Sequence, residues 1–122
     1  MAAVAAGELS HGDRIEVDRA IRAAEQSCRF EFSVFVGRSQ GDSRAFAERL
    51  HSATVAPDRS VLLLVDPSAR RLEVVTGEVV RRRLTDNEVD LAVLQMQSAF
   101  AEGNLVAGLT RGIAQLAEHA RD

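Results

Sequence analysis

A serine stands between two glycines in Gly37-Arg-Ser-Gln-Gly41, at the spacing of the pattern G-x-S-x-G. In a nucleophile elbow such a serine attacks a carbonyl, a histidine takes its proton, and an acid orients the histidine. The chain order Ser39, then Asp66 or Asp86, then His119 permits that relay. Three features oppose it. The chain is short for the hydrolase fold that carries the elbow. The helix after the motif is expected to start at Asp42 or Ser43, not at the serine itself. His119 falls close to the C-terminus, where an exposed side chain is expected. A plain loop is therefore the weightier reading of this segment.

Four acids form a second candidate. Asp66, Asp86, Asp90 and Glu102 have the oxygen chemistry that Ca²⁺ or Mg²⁺ requires, and such ions draw ligands from several loops. Asp66 follows an apolar run and Asp86 precedes a helix, so both lie at element ends. No EF-hand spacing is present. The simpler reading makes Asp66 a turn residue and Asp86 a favourable charge at a helix N-terminus. No cofactor is required by any motif in the chain.

A third candidate is Arg81-Arg82-Arg83, the densest run of charge. Guanidinium forks bind phosphate or carboxylate bidentately, and a helix start at Thr85 would add amide donors. In an extended segment, however, Arg82 points away from Arg81 and Arg83. A strand edge protected by charge is the simpler account. The remaining reactive types are sparse. Cys28 lies on an apolar stripe and reads as a buried small hydrophobe. His11, His51 and His119 lack metal-ligand spacing and read as surface residues. Gly108 and Gly112 allow close helix packing, while Thr110 and Arg111 break any membrane-type apolar run.

Composition narrows the classes. The chain has 122 residues, of which 46% are hydrophobic and 27% charged, which suits one globular domain. The net charge is −3, and neither Trp nor Tyr occurs, so nucleic-acid binding by a basic, ring-stacking surface is not expected. All 15 basic residues are arginine, which excludes Schiff-base and P-loop lysine chemistry. No apolar run is long enough to span a bilayer. The lone cysteine and the lack of a recognisable leader or anchor point to a cytoplasmic setting.

The elements that must position these residues follow from periodicity. Residues 1–9 read as a loose arm, and residues 10–122 as one domain. Ser10 and Asp13 cap a first helix with Val17, Ile21, Ala24 and Cys28 inward. Phe30 to Val36 alternates as a strand. Asp42 or Ser43 opens a second helix, with Phe46, Leu50 and Ala53 inward. Ser60 to Asp66 is a continuous apolar strand expected to be covered on both faces. Asp66-Pro-Ser-Ala-Arg70 is turn chemistry leading into Leu72, Val74 and Thr76, so an antiparallel hairpin is expected. Glu78 to Leu84 is ambiguous between a short strand and a helical turn. Thr85-Asp-Asn-Glu88 is a capping box. The helix it opens carries Val89, Ala92, Val93, Met96 and Phe100 on one side and Leu91 and Leu94 on another, which suggests a helix sandwiched between neighbours. A last helix carries Leu105, Leu109, Ile113, Leu116 and Ala120. The order α-β-α-β-β-(β)-α-α predicts a three-layer α/β/α sandwich around a mixed sheet of three or four strands.

That order, with Phe32-Ser-Val-Phe-Val-Gly37, Ser60-Val-Leu-Leu-Leu-Val-Asp66, Arg71-Leu-Glu-Val-Val-Thr-Gly77, Leu84-Thr-Asp86 and Phe100-Ala-Glu-Gly-Asn104, resembles the TPM domain. The likeness runs over residues 14 to 118 and is greatest to an uncharacterised actinobacterial branch. The family includes thylakoid-lumen phosphatase-like proteins, photosystem repair factors and an acetylcholine-receptor modulator. The resemblance implies an α/β sandwich. It also implies two alternative roles. One is a non-catalytic binding or accessory module for a protein or membrane-associated complex, engaged through Arg81–Arg83. The other is a Ca²⁺- or Mg²⁺-assisted phosphatase, with Asp66 and Asp86 on the cation. The first is the leading expectation, because no nucleophile, base and metal set comes together in the sequence.

Overall fold

The computed structural model describes residues 4–5 and 9–121. Three full strands form its sheet: β2 (Glu31–Val36), β3 (Ser60–Asp66) and β4 (Arg71–Thr76). A two-residue strand, β1 (Val4–Ala5), pairs parallel with β2 through Val34 and Phe35. Val4 and Ala5, which the sequence placed in a loose arm, thus meet a sheet edge; the rest of residues 1–8 lie outside the described residues. β2 and β3 run parallel, β3 and β4 antiparallel, and the strand order is β1-β2-β3-β4. The architecture is mixed α/β, as the alternation and the apolar run required. The optional strand before the third helix is absent: Val80–Arg82 is a single 3₁₀ turn.

Among the described residues, four helices cover this sheet: α1 (His11–Cys28), α2 (Ser43–Ser52), α3 (Asp86–Ala101) and α4 (Leu105–Ala120). Both expected capping boxes form, Ser10 with Asp13 and Thr85 with Glu88. The alternate residues Phe32, Val34, Val61, Leu63, Val65, Leu72 and Val74 share one core with α1, α3 and α4. Leu62, Leu64 and Val75 face the other way, against Ala47 of α2 with Phe35, Phe46 and Leu50. Every residue of β3 is buried, because it is the central strand of the three full ones and both its faces carry helices.

Two helices differ from the periodicity. In α2 the buried residues are Ser43, Ala47 and His51, and Ala53 is exposed. The helix turns two polar residues inward because both find partners. The Ser43 hydroxyl donates to Glu73 at 2.8 Å, and His51 Nε2 meets the Ser60 carbonyl at 3.0 Å. His51 is therefore not the surface residue the sequence suggested. In α3, Leu91 and Leu94 are 53% and 62% exposed, so this helix is not sandwiched.

Gly112, with Gly108 one turn before it, and Gly77 set close approaches. A Cβ on Gly112 of α4 would overlap the Met96 side chain of α3, so the bare backbone is what lets these helices touch. A Cβ on Gly77 would overlap the backbone at Pro57 and Asp58, where the end of β4 crosses the turn before β3.

Candidate functional site: the cleft beside Asp66

Parallel β2 and β3 end side by side, and the loops that leave them meet at Asp66. Burial of a carboxylate demands partners. Asp66, 3% exposed, has four. The Ser39 amide and hydroxyl donate to Oδ2 at 2.9 and 3.0 Å. The Ser68 hydroxyl and the Ala69 amide donate to Oδ1 at 2.8 and 3.2 Å. Together these bonds, that from the Ser39 amide first, hold its pKa down at about 2. Two oxygens offer about four acceptor positions, and all four are taken. Asp66 is thus an ionised strut between two loops.

Ser39 and Asp66 do come together, but as donor and acceptor rather than as part of a relay. The histidine of the expected relay is elsewhere. His119 Nδ1 lies 3.1 Å from Glu88 Oε2 at the start of α3. Leu105, at the other end of α4, borders the cleft beside Asp66, and the helical rise puts His119 ~21 Å along the axis from it. No triad of Ser39, Asp66 and His119 exists. The Thr85 amide, foremost among its donors, lowers the Glu88 pKa, so Glu88 serves the capping box and His119 together.

The four acids are likewise divided. Asp86 opens α3, whereas Ala101 closes it beside Asp66, a separation of ~22 Å along the helix. Asp90 sits one turn in from Asp86. Glu102 follows α3 near the Asp66 end and is exposed. Among the described residues, no group of three His, Cys, Asp or Glu side chains is arranged to hold a metal ion.

The arginine run is also split. The Arg81 guanidinium donates to the Thr76 carbonyl at the open edge of β4. Arg44 of α2 does the same at Val74, at 2.9 Å. Arg83 lies over the Phe30 ring at 5.7 Å, with Arg59 over the same ring at 5.0 Å. Cys28 is buried as expected, and desolvation pushes its thiol pKa up.

What the sequence did not single out is the cleft itself. It has a volume of about 410 Å³ and lies between the β3–β4 turn and the α3–α4 turn. Its floor includes Leu72, Phe100 and Leu105, and Arg70, Arg71 and Gln97 rim it. Arg70 holds φ at 55°, the left-handed value that a three- to five-residue hairpin turn needs before the second strand. Glycine is the ordinary occupant of such a position. Neither Arg70 nor Arg71 has an ion-pair partner among the described residues, although both are exposed. Their adjacency in the sequence was visible; that the α3–α4 turn would face them was not.

Family models place residues 3–117 in one group. The chain belongs to the family described as a domain of unknown function, DUF5130. Two uncharacterized proteins from Mycobacterium tuberculosis strains are 34% identical to this DUF5130 chain over 101 residues, or 83% of it. The chain spans 60% of the length of those relatives. Solved structures share its fold. The N-terminal domain of a protein from P. gingivalis superposes with a TM-score of 0.74 at 22% identity, covering 95% of this chain and 78% of that one. The BA42 protein of Bizionia argentinensis gives 0.78 at 23%, covering 92% and 81%. The N-terminal domain of cg2496 from Corynebacterium glutamicum gives 0.78 at 16%, covering 96% and 77%. At such identities the likeness is one of fold.

Proposed function

We propose that this domain is a non-catalytic, TPM-like binding or accessory module, and that the cleft beside Asp66 is where it engages a protein or membrane-associated complex. The observation that carries this reading is the state of Asp66. It is the acid best placed to act on something in the cleft, yet each of its acceptor positions is already filled by Ser39, Ser68 or Ala69. A carboxylate so bound has no position left to coordinate a cation, attack phosphorus or take a proton. Beside it stand two guanidiniums without ion-pair partners among the described residues, over an apolar floor, which suits recognition rather than bond breaking. The Arg81–Arg83 segment follows the far end of β4, where Thr76 pairs with Val61, so exposed Arg82 offers a second contact away from the cleft, while Arg81 is engaged at Thr76 and Arg83 over Phe30.

The reading assumes a cytoplasmic setting with peripheral contact to the envelope. No helix among the described residues is long and apolar enough to cross a membrane. The metal-assisted phosphatase remains the rival, and it requires Asp66 and Asp86 to share an ion.

Hydrolysis of a chromogenic phosphate monoester, with millimolar Ca²⁺ or Mg²⁺ and with the cation chelated, separates the two. No turnover above buffer is expected in either condition. Cation-dependent turnover that disappears in Asp86→Asn, with the fold of that variant intact by circular dichroism, would overturn the proposal.

A further inference from the structure

The geometry points to a specific ligand class for this cleft: a monoanionic carboxylate attached to one compact apolar group. The inference rests on the binding-module reading and extends it to chemistry. Three observations carry it.

The first is charge. Arg70 and Arg71 rim the cleft without ion-pair partners among the described residues. Asp66 lines the same cleft and stays ionised. The lining therefore carries a net charge of about +1, which matches one carboxylate better than a phosphate dianion. Exposed Glu102, beside the lining residues Ala101 and Gly103, lowers the local potential further and disfavours a dianion again. The second is shape. A cleft of about 410 Å³ stands at the small end of ligand sites, and its floor of Val65, Leu72, Phe100 and Leu105 has room for one branched or aromatic group. The third is donor placement. Gln97 adds an amide to the two guanidiniums, and α4 begins at the rim with no side-chain cap on its first amides. The cleft and its arginines carry the inference; the helix end adds donors to it.

Two sources share this chemistry: a free small acid, and the C-terminus of a peptide ending in an apolar residue. Titration of the ¹⁵N-labelled chain distinguishes them. The probes are 3-phenylpropionate, its primary amide, inorganic phosphate, and a tetrapeptide ending in Phe with a free or an amidated terminus. With 3-phenylpropionate we expect saturable shifts at Arg71, Leu72, Ala101, Gly103 and Leu105, with Kd on the order of millimolar for so few atoms. The amide should bind at least about tenfold more weakly, because the charge-assisted bonds to arginine are lost. A peptide acid that binds more tightly than the free acid identifies a chain terminus as the source; the reverse identifies a small acid. Arg70→Gly removes one guanidinium while keeping the left-handed turn, and should also weaken binding by about tenfold.

Equal binding of acid and amide, stronger binding of phosphate, or no saturable shift at tens of millimolar would each overturn the inference. All three are read on the unaltered chain, so an unstable variant does not obscure them. Failure here, without phosphatase turnover, removes the ligand class and leaves the binding-module reading; turnover that depends on Asp86 removes that reading itself.

Discussion

Asp66 gives the sharpest test of how the cleft is built. Four hydrogen bonds hold its pKa near 2, against 3.8 for an unperturbed side chain. A carboxylate whose pKa is lower in the folded state stabilises the fold wherever it is ionised in both states. The contribution is complete above about pH 4 and disappears as the pH falls through about 2. The displacement corresponds to roughly 1–2 kcal/mol of folding free energy once screening by nearby solvent is allowed for. Asp66→Asn removes the charge and one acceptor oxygen. Its amide nitrogen would face a pair of donors, either those of Ser39 or those of Ser68 and Ala69. Leaving buried donors without acceptors adds about 1–3 kcal/mol.

The assay is urea unfolding of the parent chain and of Asp66→Asn at intervals from pH 7 to pH 2. At neutral pH the variant should be less stable by about 2–5 kcal/mol. The gap should narrow between pH 4 and pH 2 by the roughly 1–2 kcal/mol assigned to the charge, because only the parent loses that contribution. Other carboxylates titrate in both proteins and cancel in the difference. A gap that stays constant over this range would refute the claim that the loops are held by an ionised Asp66. A gap near zero at neutral pH would refute the hydrogen-bond network itself.

The other expectations concern the frame around the cleft. Gly77→Ala places a methyl into the backbone at Pro57 and Asp58, which cannot rotate away, so a loss of about 3 kcal/mol or more is expected in urea unfolding. Gly112→Ala collides with a movable side chain, Met96, and gains some helix propensity, so the loss should be smaller, about 1–2 kcal/mol, and smaller again when the substitution is made in a Met96→Ala background. Equal losses at the two glycines would contradict this distinction. Arg44→Ala with Arg81→Ala uncovers the carbonyls of Val74 and Thr76 on the outer strand, and sedimentation velocity should show more self-association than the parent at equal concentration; an unchanged distribution would show that these arginines do not guard the edge.

Much of the fold was legible because its signals are local. The boxes at Ser10–Asp13 and Thr85–Glu88 mark helix starts within four residues, and the run from Val61 to Val65 marks a strand covered on both faces. Local signals failed where a polar residue is buried with a distant partner. Ser43 reads as a helix start and His51 as a surface residue until Glu73 and the Ser60 carbonyl are placed beside them. Leu91 and Leu94 show the converse. Their apolar side chains suggested a covering neighbour, and none of the described elements covers them. The site had the same limit. The pair Ser39 and Asp66 stood out by motif, but its meaning depended on Ser68 and Ala69 filling the remaining acceptor positions. Arg70 and Arg71 read as turn and strand residues because the cleft exists only where the α3–α4 turn meets them.

The arginines of this lysine-free chain divide by what their geometry lets them reach. Those beside the outer strand turn inward. Arg44 comes from α2 and Arg81 from the 3₁₀ turn, and each donates to an outward-facing carbonyl of β4. At the opposite side, β1 pairs with Val34 and Phe35, while the Glu25 carboxylate accepts the Phe32 amide at 2.9 Å. Strand addition is thereby opposed on β4 by two side chains that would have to be displaced. Arg70 and Arg71 reach no such carbonyl. The left-handed turn lifts them over the end of β3, where the one acid within the cleft is already engaged. Two cations beside an apolar floor, with their local anion taken, are complementary to a negative group brought from outside. The sheet therefore offers a partner little along its β4 edge.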